Sequence, residues 1–65
     1  MSTKSWQRTN KDTFFAHIDL FDGVRSRDTG DTIVYFTGEG HAQDEQWIGK
    51  VDISTPEPGY YIALT

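Results

Sequence analysis

The hexapeptide Thr32-Ile33-Val34-Tyr35-Phe36-Thr37 decides the fold. Every residue in it is β-branched or aromatic, the types that suit a pleated surface. Ile33 and Tyr35 fall on one face and Val34 and Phe36 on the other, so apolar groups point both ways and the segment is expected inside a sheet rather than at its edge. On its C-terminal side, Gly38-Glu39-Gly40-His41-Ala42-Gln43-Asp44 has two glycines and no apolar period, which predicts a loop or wide turn. Gln46 to Ile53 then resumes a period of two, with Trp47, Val51 and Ile53 expected to face in and Gln46, Lys50 and Asp52 out. Gly49 shares the inward set, which predicts a bulge or a close approach by a neighbouring aromatic ring. Both prolines lie in Ser54 to Gly59 and mark a rigid connection. Tyr60 to Thr65 reads as a last strand, with Tyr60, Ile62 and Leu64 on one face, and should be paired in the sheet or with a second molecule.

On the N-terminal side, Thr13 to Phe21 places Phe14, Ala16, Ile18 and Leu20 on one face and Thr13, Phe15, His17, Asp19 and Phe21 on the other. This predicts a half-buried strand. Asp22-Gly23 follows at once and signals a hairpin turn, with Val24 to Asp28 as a short charged return strand; a single long loop over 22–31 is the alternative that its Gly and Asp content allows. Met1 to Asp12 is polar except for Trp6, whose ring is expected to anchor the segment on the body, as an arm or as an edge strand through Ser5 to Thr9. The fold class is therefore all-β: a small single antiparallel sheet or partly open barrel of four to five short strands, meander-like, over 13–65, preceded by the arm or edge strand of 1–12.

With 65 residues, folding buries only about 60% of the unfolded chain's surface. There is no cysteine to staple so small a core. Stability must come from packing Trp6, Phe14, Phe15, Phe36, Trp47, Tyr60 and Tyr61, or from a partner subunit, so a homodimer is considered alongside a monomer. Lack of cysteine also removes thiolate nucleophiles and thiolate zinc sites and fits a reducing compartment. With a polar start and no membrane-length apolar run, the expectation is a complete, soluble, cytoplasmic chain. Ten Asp and Glu against six Lys and Arg give a formal net charge of −4, which on average repels a phosphate backbone. The basic residues gather at Lys4, Arg8 and Lys11 and at Arg25 and Arg27.

No constellation carries recognisable catalytic or metal chemistry. His17 and His41, with Asp19, Asp22 and Glu39, lack any zinc spacing, and Asp19, Asp22, Asp28 and Asp31 with Gly23 and Gly30 lack the order and the bidentate Glu of a calcium loop. Gly38-Glu39-Gly40-His41 has no Lys and no following helix to hold a phosphate, although as a loop tip Glu39 and His41 could reach into a partner's groove. No serine has an evident activating base. The expectation is no cofactor, no metal and no enzymatic activity.

Three binding readings remain. The leading one is a non-enzymatic protein-interaction module that docks a protein partner through Phe15, Phe21 and Tyr61, with Arg25 and Arg27 nearby. Very short, acidic, cysteine-free chains are common among phage and mobile-element accessory proteins that inhibit or redirect a host protein, and this chain fits that expectation. The alternative is a small single-strand nucleic-acid-binding β domain of oligonucleotide-binding or SH3-like type, using rings such as Phe15, Phe21, Tyr35 and Tyr61 beside Arg25. The last is an acidic mimic of nucleic acid.

Overall fold

A computed structural model describes residues 5–39, 41 and 43–64. The elements are β1 (Ser5–Thr9), α1 (Lys11–Ile18), β2 (Arg25–Asp28), β3 (Thr32–Thr37), β4 (Gln46–Asp52) and β5 (Gly59–Leu64). The strands make one five-stranded antiparallel sheet in the order β1-β5-β4-β3-β2. β2 to β5 form a meander, and β1 joins its far side by pairing with β5. The last strand is therefore held from both sides, and the Trp6 segment supplies the edge strand.

The segment read as a strand over Thr13 to Phe21 is instead α1 and the turn that ends it. Asn10 caps the helix: its backbone is extended and its Oδ1 accepts the Thr13 N–H at 2.8 Å, satisfying an amide that the first turn leaves without a partner. Asp12 adds negative charge where the helix dipole favours it. Phe14 and Ile18, four residues apart, point to the sheet and are 0% and 7% exposed. A period of two and a period of 3.6 both place residues i and i+4 on one side, so this pair satisfies either reading. In the helix Ala16 turns outward, and Leu20, in the turn that follows, is 79% exposed. Replacing Asn10 by alanine should cost about 1 kcal/mol, measured as a lower urea midpoint with an unchanged slope.

The Asp22-Gly23 hairpin does not form either. β2 pairs with β3 and not with the segment before it, so Asp22-Gly23 belongs to the connection from α1 to β2. Gly23 nevertheless has φ +69°, the left-handed region that a side chain disfavours. Gly23→Val should therefore destabilise by about 1 kcal/mol or more in a chemical melt, even though no hairpin is at stake.

The core lies between α1 and one face of the sheet. Phe14, Ile18, Ile48 and Val51 are buried at its centre, and Val24, Ile33, Tyr35, Tyr60 and Ile62 pack around them. The pairing steps from Tyr35↔Gly49 to Phe36↔Trp47, leaving Ile48 as an extra residue on β4. This bulge corrects the expected inward set Trp47, Val51 and Ile53. Ile48 joins Val51 under the helix, Trp47 passes to the opposite face with Phe36, and Ile53 falls beyond the strand and is 38% exposed. Leu64, grouped with Tyr60 and Ile62 by alternation, is exposed. Gly49 meets both expectations, since it adjoins the bulge and a Cβ there would lie 2.7 Å from Phe14 Cε1 and 2.9 Å from Ile18 Cδ1.

Candidate functional site

The helix covers one face of the sheet, and among the described residues no second layer lies on the other. Residues opposite one another in antiparallel strands share a face, so the register defines what this open face carries. One row crosses all five strands: Arg8, Tyr61, Lys50, Val34 and Arg27. Beside it, Trp6 pairs with Ala63 at one end, and Trp47, Phe36 and Arg25 continue at the other. Four of the six Lys and Arg residues and four aromatic rings thus occupy a single face. Among strand carboxylates, Asp28 lies on the helix-covered side with Ile33, and Asp52 lies on the open side. Glu45 borders the open face just before β4.

The side chains on this face are interleaved. Lys50 Nζ lies 4.4 Å from the centre of the Trp6 ring and 5.5 Å from that of Tyr61, so one ammonium serves two rings. Arg27 Cζ lies 4.9 Å from the centre of the Phe36 ring. Long stems of this kind explain how Val34 and Phe36 reach 2% and 4% exposure with no layer above them. Covering a sheet requires only long side chains, however, and Glu or Gln would serve; the choice of four cations in a chain of net charge −4 needs a further reason.

Glu45 joins the two halves of the site. Its Oε1 accepts a hydrogen bond from Arg27 Nη2 and its Oε2 accepts the Trp47 indole N–H at 3.2 Å. Its side chain is 7% exposed, against 46% for that of Arg27. The Arg27 guanidinium and then the Trp47 indole hold the Glu45 carboxyl below its ordinary value of 4.5. Asp52 is held below its ordinary 3.8, first by the Ser54 hydroxyl, which donates at 2.6 Å, then by the Ser54 amide, with Lys50 and Arg8 contributing charge. A carboxyl lowered in the folded state binds protons more readily unfolded, so its contribution is fully present above the unfolded value and lost as pH falls through the folded one. Thermal melts should show stability falling below about pH 4.5, and Glu45→Gln should flatten that acid limb.

The residues singled out by sequence divide between three places. Tyr61, Arg25 and Arg27 stand on the open face. Phe15 and Phe21 are on the helix side, each 38% exposed; Phe15 packs edge-on to Phe14 and Tyr35, and Phe21 packs against His17. The set Phe15, Phe21 and Tyr61 is therefore not one patch. Glu39 and His41 lie in the β3–β4 loop, where the His41 amide donates to Asp44 Oδ1. The open face adds Trp6, Arg8, Lys50 and Glu45, which sequence spacing does not connect because they come from β1, β4 and the β3–β4 loop. Among the described residues no group of three or more His, Asp or Glu side chains is placed to hold a metal ion, and no helix is long and apolar enough to cross a membrane. No protein-family model, curated protein or solved structure matches the chain.

Proposed function

We propose that the chain is a non-enzymatic binding module whose open sheet face takes single-stranded nucleic acid. The observation that carries the reading is the segregation of charge: Arg8, Arg25, Arg27 and Lys50 share one face with Trp6, Tyr61, Trp47 and Phe36, while the chain as a whole is acidic. A flexible strand of phosphates and bases complements that mixture, because phosphates seek the cations and bases stack on rings without regard to sequence. Four interstrand steps of about 4.8 Å make the row from Arg8 to Arg27 roughly 19 Å long, which suits the short end of known single-strand sites, about four nucleotides. The net charge of −4 lowers the affinity at long range, but a salt atmosphere screens charges beyond about 10 Å at 0.1 M.

Anisotropy of a labelled oligodeoxythymidylate tests this. With two to three phosphates contributing a slope of about −0.7 each, affinity should fall roughly 7- to 20-fold between about 50 and 200 mM salt. Absence of binding at the lower salt contradicts the reading.

A second reading is favoured by Leu20. Its side chain is 79% exposed, yet its backbone is fixed in the turn that ends α1, where the Leu20 N–H donates to His17 O and the Phe21 N–H to Ile18 O, each at 3.1 Å. With Phe15 and Phe21, each 38% exposed, it supplies apolar surface to a protein partner, a host protein if the chain is an accessory protein of the phage type. A partner that survives nuclease treatment in a pull-down and is lost with Leu20→Asp is the expected result. Retention unchanged by that substitution contradicts it.

A further inference from the structure

Within the proposed nucleic-acid reading, we infer that Glu45 is an internal stand-in for a phosphate, occupying the donors of Arg27 and Trp47 until a nucleic-acid phosphate displaces it. The geometry is that of an anion site already filled by the chain itself. The two carboxylate oxygens are used separately, one on the Arg27 guanidinium and one on the Trp47 indole, and those donors come from β2 and β4, on either side of β3. The Glu45 side chain is nearly covered while the Arg27 side chain it holds remains 46% exposed, so an incoming phosphate reaches Arg27 from solvent. Arg27 is also the end of the cationic row, placed over Phe36, and needs no change of strand position to exchange one anion for another. Neither Arg8 nor Lys50 has a carboxylate within salt-bridge distance among the described residues; Arg27 is the one cation of the row that does.

The consequence is that Glu45 limits affinity. Each phosphate contact to a single strand contributes about 0.7 to the slope of log affinity against log salt. With the native chain, Arg27 must release one anion to bind another, so the exchange frees little counterion. With Glu45→Gln, Arg27 offers a full contact: oligodeoxythymidylate should bind about threefold or more tighter at about 50 mM salt, with a slope steeper by about 0.7. Glu45→Asp keeps the charge but withdraws the carboxylate by one methylene, and should move affinity in the same direction by less. Glu57→Gln, which changes net charge equally in the connection beyond the opposite end of β4, should move neither quantity comparably. Circular dichroism melts of all four proteins confirm that folded chains are being compared.

Tighter binding and a steeper slope for Glu45→Gln, with Glu57→Gln close to native, is the result expected. If the native chain binds and Glu45→Gln binds equally or more weakly, Glu45 is a strut that orients Arg27 and the inference is overturned while the nucleic-acid reading stands. If no variant binds the oligonucleotide, both are overturned. Should Glu45→Gln fail to fold, Glu45→Asp decides by the same comparison.

Discussion

Phe14→Ala should remove a large part of the chain's stability. Phe14 is 0% exposed and sits at the centre of the contact between helix and sheet, with the rings of Phe15, Tyr35 and Tyr60 at 5.1, 5.3 and 5.5 Å. Removing a buried phenylalanine typically costs about 3–5 kcal/mol. A chain of 65 residues, at about 0.05–0.15 kcal/mol per residue, has roughly 3–10 kcal/mol in all. A fall in Tm of about 12 °C or more, followed by circular dichroism, is the expected observation. Gly49→Ala probes the same contact from the opposite side, because the added methyl would meet Phe14 Cε1 at 2.7 Å. Overpacking of this kind costs about 1–3 kcal/mol, and each kcal/mol lowers Tm by roughly 4–8 °C in so small a domain. If both variants melt within a few degrees of the native chain, the seating of α1 over Gly49 is wrong.

The second large effect concerns the open face. Lys50→Glu should reduce oligonucleotide affinity by more than 100-fold while leaving the sheet intact. Lys50 is the middle cation of the row and the one that touches both Trp6 and Tyr61. A carboxylate in its place removes a phosphate contact, repels the remaining phosphates and withdraws the cation–π contacts that order two rings. Because the Lys50 stem also helps to cover Val34, Arg8→Glu at the exposed edge strand is the companion variant; it should cost about tenfold with no change in Tm. Native affinity in both variants would mean that the face does not bind nucleic acid.

Much of this architecture is visible in the amino-acid sequence. Thr32 to Thr37, with β-branched and aromatic residues throughout, is a strand inside the sheet, and Gly49 marks the spot where the backbone must admit a ring. Two features are hidden for physical reasons. An eight-residue helix has only two turns, so Phe14 and Ile18 are its whole buried stripe, and their spacing of four also fits a strand. Asn10 was the available sign, a cap residue directly before the segment. The bulge at Ile48 then changes the facing of Trp47, which alternation alone assigns to the core.

The candidate site is harder to see because it is made by register. Arg8, Lys50 and Arg27 are far apart in sequence and meet in one row only after β1 has paired with β5 and the meander has closed. Net charge, which argues against a phosphate partner, averages over the whole chain, whereas four of the six cations gather on one face. Tyr61, Arg25 and Arg27 can be picked out as aromatic and basic residues in strand-like segments, but grouping them with Phe15 and Phe21 requires those phenylalanines to stand on a strand, and the helix carries them to the other side of the sheet.

The most direct test of the binding face is a ¹⁵N–¹H correlation spectrum of the native chain, titrated with oligodeoxythymidylate at about 50 mM salt. The two indole N–H signals of Trp6 and Trp47 and the amides of Arg8, Arg27, Lys50 and Tyr61 should shift together along one binding curve, while those of Phe14 to Leu20 remain in place. Shifts confined to α1 and the Leu20-Phe21 turn, or none at all, would contradict it.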